Sequence, residues 1–277
     1  MKLADHASNE IVKMLLIGNS KAGKTGALTS LVKAGYKLRI LDMDNLLDVL
    51  KAFVLKECPE MIDNVEYRTL RDVRTIGSEG PTIVGTPKAF SNAYRMLDNW
   101  KYNDENGAVD LGPPSGWGPD CILVIDSLSR LCDAAYDFRL PLTPRGAGGK
   151  YDIRAVYGDA QDAIEEGLAT ITSNNFHVNV IVIAHVTYMD MPDGTIKGFP
   201  QGVGQKLSPK IPQYFSTVVL ATDKGGKRTL QTASTQLIDL ANPKPFAMQP
   251  SYPIETGLAD IFEVLKEQPK LQLVRKG

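Results

Sequence analysis

Residues 18–25 read Gly-Asn-Ser-Lys-Ala-Gly-Lys-Thr, a spacing suited to holding the phosphates of a nucleotide. Gly18 and Gly23 let the backbone wrap an anion without a Cβ in the way. Backbone N–H groups from Asn19, Ser20, Lys21, Ala22 and Gly26 would complete the cradle, at the start of a helix whose dipole favours negative charge. Lys24 would bring a positive charge to the β- and γ-phosphates, and the Thr25 hydroxyl is placed to ligate Mg²⁺. The context agrees, because the motif follows an apolar run at 11–17 and opens a helical pattern at 23–33. A glycine-rich turn that binds nothing is the competing reading. The expected cofactors are therefore ATP and Mg²⁺.

Carboxylates at strand ends supply the next candidates. The apolar run 121–125 is followed by Asp126-Ser127, which sets an acid at the carboxyl end of a strand, where ligands of open α/β sheets gather. Asp126 would hold Mg²⁺ with Thr25; its plainer role would be to cap the next helix. Residues 37–42 form a second apolar strand that ends in Leu-Asp-Met-Asp, so Asp42 and Asp44 reach the same edge. Either can orient the attacking water as a general base, and either can instead cap a helix. His185 closes the run 178–184, where a polar side chain can sense the γ-phosphate or simply hydrogen-bond beneath a loop.

The elements that position these groups alternate between apolar runs and helical patterns, which points to βαβ units and a mainly parallel central sheet flanked by helices. Helices are expected at 46–56, 90–102, from 128 onward, at 157–174 and at 258–268. Strands are expected at 65–73, an edge position given its charges, and at 217–221. Turn residues make loops of 103–120, 141–150 and 191–204, and Lys-Gly-Gly-Lys-Arg at 224–228 reads as a hairpin turn. The 277 residues fit one α/β domain, with a core over 11–233 and a C-terminal extension over 234–277.

Composition narrows the class further. The net charge of −1 excludes a strongly basic nucleic-acid binder but not a local basic strip. Cys58, Cys121 and Cys132 lack metal-ligand spacing and suit a reducing compartment. With no apolar leader and no apolar stretch near 20 residues, the expectation is a soluble, cytoplasmic protein without a membrane partner.

The order of parts resembles the RecA-like recombinase core: phosphate loop, Leu-Asp-Met-Asp, Ile-Leu-Val-Ile-Asp-Ser, then Ile-Val-Ile-Ala-His. More narrowly, it is similar to short phage-encoded RecA-core ATPases linked to single-strand annealing and recombination. The resemblance covers about 11–233. It implies that Asp44 stands where the family has its water-activating glutamate, Asp126 where it has its Mg²⁺-associated aspartate, and His185 where it usually has glutamine. It also implies two single-stranded-DNA loops, at 140–154 and 188–206. Their Arg145, Lys150, Arg154, Lys197, Phe199 and Lys206 are residues that can track a backbone and stack a base, or merely be solvated. Lys227 and Arg228 fall where such ATPases carry a basic finger for the neighbouring subunit, which implies a homo-oligomer, ring or filament, with nucleotide at the interface. A charged hairpin tip is the alternative. The chain departs from the family in carrying Asp for Glu at position 44 and in lacking extra domains. The expected activity is Mg²⁺-dependent ATP hydrolysis coupled to single-stranded DNA; the rivals are a small-molecule kinase and a nucleotide-dependent assembly switch.

Overall fold

The computed structural model describes residues 10–78, 80–105, 107–146 and 148–267. In chain order the strands are β1 (Lys13–Gly18), β2 (Lys37–Asp42), β3 (Val65–Thr69), β4 (Arg74–Gly77), β5 (Gly80–Ile83), β6 (Lys101–Asp104) and β7 (Gly107–Asp110). They continue with β8 (Gly118–Asp126), β9 (Val178–Asp190), β10 (Ile196–Pro200), β11 (Thr217–Lys224), β12 (Lys227–Gln231) and β13 (Ser251–Pro253). The helices are α1 (Lys24–Ala27), α2 (Thr29–Lys33), α3 (Asp48–Glu57), α4 (Ala89–Asp98), α5 (Leu128–Arg139), α6 (Ile153–Thr172), α7 (Gly204–Leu207) and α8 (Gly257–Lys266).

The main sheet runs β13-β12-β11-β1-β9-β8-β2-β3, with β10 pairing β9 off this path. Strands β11, β1, β9, β8, β2 and β3 are mutually parallel, and β12 and β13 close one side antiparallel. A parallel sheet is covered on both faces, and the central strands are apolar on both. Leu15, Ile17, Leu123, Ile125, Val180 and Val182 pack with α4, α5 and α6. Their alternates Met14, Leu16, Ile122, Val124, Ile181 and Ile183 pack with α2, α3 and α8. Registers bring Gly18 opposite His185 and Asp42 opposite Asp126, so four candidate groups share one edge of the sheet.

Several expectations are corrected. The helix expected at 23–33 divides at Leu28 into α1 and α2. The loop expected at 191–204 is largely a β-hairpin, since β9 continues to Asp190 and β10 folds back on it. Within 103–120 another hairpin forms, β6 with β7, and β8 already begins at Gly118. The helix read from 157 starts at Ile153, because the Asp152 side chain accepts from the N–H groups of Arg154 and Ala155. The final helix ends at Lys266, and the expected end at 268 lies outside the described residues. β3 does sit at the sheet edge, and β11 and β12 form the expected hairpin.

Candidate functional site

The phosphate loop leaves β1 at the sheet edge and turns through two left-handed residues, Lys21 (φ 66°) and Gly23 (φ 92°), before α1. A Cβ at 23 would lie 2.8 Å from Ile254 Cδ1, so that side chain would have to move aside. At Gly18 a Cβ would meet the Ala221 carbonyl oxygen at 2.5 Å. The loop is thus seated on β11 and on the C-terminal segment. Lys24 is buried, and its Nζ donates to the carbonyls of Gly18 and Asn19 at 2.9 Å each. Burial lowers its pKa to about 8, against the opposing pull of the Asp126 and Asp44 charges.

Next to Lys24 in the chain, the Thr25 hydroxyl donates to Asp126 Oδ2 at 2.7 Å. Asp126 ends β8 almost wholly buried, and its pKa is raised to about 6, chiefly by desolvation, with the Asp44 and Asp42 charges adding and Thr25 opposing. It does not cap α5; Ser127 does that, accepting from the Arg130 N–H. A hydroxyl and a carboxylate beside a phosphate cradle form an oxygen donor set that suits Mg²⁺, which takes one or two protein ligands and completes its shell with phosphate and water. The residues present fit both a nucleotide polyphosphate and its metal.

The two acids of Leu-Asp-Met-Asp separate in role. Asp42 is buried and both its oxygens are engaged, Oδ1 accepting from the Asn45 N–H at 2.7 Å and Oδ2 from the Thr69 hydroxyl at 2.8 Å. Asp44 lies closer to solvent, with Oδ1 3.3 Å from Arg130 Nε. Neither caps α3, whose N-cap is Leu47. His185 is half-buried, its Nδ1 3.5 Å from Lys24 Nζ, and burial together with Lys24 and Arg130 lowers its pKa. The backbone N–H of His185 donates to Ser129 Oγ at 3.0 Å, and that hydroxyl in turn donates to the Gln201 carbonyl at 3.3 Å. Arg130 and Ser129 escaped the sequence reading, although both follow Asp-Ser within one helical turn.

The remaining candidates are spread more widely. Arg145 and Lys150 are exposed, with Arg145 stacked on Tyr151 at 4.7 Å and bonded to its hydroxyl. Arg154 lies in the first turn of α6 and Lys206 on α7, both exposed. Lys197 and Phe199 stand on β10; Lys197 pairs with Asp239 at 3.1 Å and Phe199 is half-buried. Arg228 lies against the phosphate loop of its own chain, its Cδ 3.1 Å from a Cβ built on Gly23, and it pairs with Asp223. Lys227 precedes it on the strand, exposed and, by strand alternation, on the opposite face.

A family model described as an AAA domain matches residues 10–240. The chain belongs to that family. In this AAA-domain chain the phosphate-loop strand and the Asp126 strand flank β9 in a mainly parallel sheet covered by helices on both faces. Among curated proteins none matches significantly. Among solved structures the chain is similar to the RadB recombinase, with TM-score 0.45, 14% identity and 90% of each chain covered. It is also similar to EscN, the assembled ATPase of the enteropathogenic E. coli type III secretion system, with TM-score 0.41, 12% identity, and 76% of this chain and 42% of that one covered. A third similar structure, an ATPase domain, has TM-score 0.38 and 10% identity, with 80% of this chain and 76% of that one covered. Among the described residues no helix is long and apolar enough to cross a membrane.

Proposed function

We propose that this chain is a Mg²⁺-dependent ATP hydrolase that acts on single-stranded DNA in recombination, annealing or repair of phage DNA. In this reading it works as a homo-oligomer with nucleotide at the subunit interface. The observation that carries the proposal is the pairing of Thr25, in the phosphate-loop motif, with Asp126, whose charge Lys24 and Asp44 both feel.

Lys24 binds the β- and γ-phosphates, and transfer of its ammonium from loop carbonyls to phosphate oxygens orders the polyphosphate. Thr25 and Asp126 would hold Mg²⁺, which when bound neutralises charge on the β- and γ-oxygens. Asp44 orients the attacking water and accepts its proton, since Asp42 has both oxygens already engaged. His185, beside Lys24, reports the γ-phosphate to the segment that Ser129 ties to its strand.

The test is ATP hydrolysis with and without single-stranded DNA, with electron microscopy of the same mixtures. Stimulated turnover together with rings or filaments supports the reading. Phosphoryl transfer to a nucleoside or metabolite would replace it with a kinase, and ATP binding without turnover would replace it with an assembly switch.

A further inference from the structure

Arg130 occupies the first turn of α5, the helix that follows Asp126 directly. Its guanidinium is shared between two carboxylates, with Nε 3.3 Å from Asp44 Oδ1 and Nη1 3.0 Å from Asp133 Oδ2. The two ends of the Asp44 pair differ in exposure. The Asp44 side chain is 13% exposed and the Arg130 side chain 58%. Among the described residues Arg130 is the side chain that pairs with the Asp44 carboxylate, through Oδ1.

The backbone beneath Asp44 is fixed independently. Asp42 holds the Asn45 N–H, the Met43 N–H donates to the Asp126 carbonyl at 2.6 Å, and Arg71 Nη1 reaches the Asp44 carbonyl at 3.4 Å. With the main chain fixed, the remaining freedom is the χ rotation of one acid, and Arg130 removes it. The same helical turn sets the sensor as well, because Ser129 binds the His185 N–H and the Gln201 carbonyl. One turn of α5 therefore registers Asp126, Asp44 and His185 against one another. A pair with so exposed an arginine contributes little to stability. Its geometric effect is far larger, because a small misplacement of a reacting group can lower a rate by about 100-fold.

We propose that Arg130 is a positioning residue for hydrolysis: it holds the Asp44 carboxylate in the orientation that directs water at the γ-phosphate. This inference rests on the assignment of Asp44 as the water-orienting acid. The cleft of about 490 Å³ beside it, lined by Arg71, Arg130, Asp133 and Gly202–Gly204 among others, leaves the guanidinium reachable from the segment after the sensor strand.

The experiment measures steady-state phosphate release by the full chain for Arg130→Ala, Arg130→Lys, Asp44→Asn and the Arg130→Ala/Asp44→Asn double variant, each checked by thermal melting. We expect Arg130→Ala to lower kcat by about tenfold or more with KM for ATP within about twofold, a split that a general loss of structure does not produce. Arg130→Lys restores part of the rate lost in Arg130→Ala, because an ammonium keeps the charge but not the two-nitrogen contact with Asp44 and Asp133. The double variant is no slower than Asp44→Asn alone, as two residues acting in one step are non-additive. Wild-type kcat in Arg130→Ala while Asp44→Asn is slow overturns this inference and spares the assignment of Asp44. Wild-type hydrolysis by Asp44→Asn overturns that assignment, and this inference with it.

Discussion

At the scale of single residues, chemistry at this edge is divided by which oxygens are already engaged. Asp42 and Asp44 are two positions apart and look alike in sequence, yet Asp42 spends both oxygens on Asn45 and Thr69. Asp44→Asn is therefore expected to keep ATP affinity while slowing hydrolysis by about 100-fold or more, the range of general-base assistance. Asp42→Asn should instead destabilise the fold, by about 1–3 kcal/mol, because an amide NH₂ faces a backbone N–H or a hydroxyl hydrogen where a carboxylate oxygen accepted. Single-turnover hydrolysis and urea unfolding of both variants check this, and a large rate loss confined to Asp42→Asn would reverse the assignment. The motif at 18–25 was legible because it is contiguous and its glycines answer to local geometry. Arg130 was not, since its partner Asp44 lies far back in the chain and only the adjacency of β2 and β8 brings them together.

At the scale of elements, local signals located strands better than they located hairpins. β2 falls at 37–42 as expected, because a short apolar run ending in acids has one reading. β9 extends past its apolar half, where Val-Thr-Tyr-Met-Asp at 186–190 mixes polar and apolar residues for a segment that pairs with β10. Glycine and proline after it suggested a loop, yet the glycine at 194 serves a hairpin turn and Pro200 ends an edge strand, a position that tolerates its missing N–H. α6 illustrates a contact that composition hides altogether. Lys13 of β1 donates to the carbonyls of Ile171, Phe176 and Val178, so a cation closes the C-terminal end of that helix. Lys13→Met keeps the apolar stem but leaves those carbonyls without their donor, and should cost about 1–3 kcal/mol of stability. The urea midpoint measures it, and an unshifted midpoint would mean that water serves those carbonyls equally well.

At the scale of the whole molecule, the candidate phosphate-loop, carboxylate and histidine groups gather on one edge of the sheet; β9 carries the chain past that edge into the candidate DNA segment 188–206, whereas 140–154 follows α5. Oligomeric action can be tested through the hairpin that ends β11. Arg228 lies against its own phosphate loop, whereas Lys227 faces away, so Lys227 is the residue left to serve a neighbour. Mixing Lys227→Ala with Lys24→Ala subunits should recover part of the activity that each lacks alone; no recovery despite proven co-assembly would place the site within one chain. The DNA contacts require a different measurement, because the candidate cations are not equivalent. Lys197 is committed to Asp239, and Arg145 to Tyr151, so a phosphate must compete for either. Lys150, in the segment between α5 and α6, and Arg154, in the first turn of α6, are exposed and carry no such partner among the described ion pairs. Each phosphate they neutralise releases counterions from a single strand, which contributes about 0.7 to the slope of log affinity against log salt. Replacing both with alanine should therefore flatten that slope by about 1.4 and weaken binding most at low salt. Lys197→Ala should change the slope less, since it frees Asp239 as much as it removes a cation. ATP affinity should hold in both variants, because none of these side chains touches the phosphate loop. Fluorescence titration of labelled single-stranded DNA across a salt series gives every slope; a Lys150→Ala/Arg154→Ala slope equal to wild type would leave this segment as solvated surface and remove its share of the DNA-binding proposal.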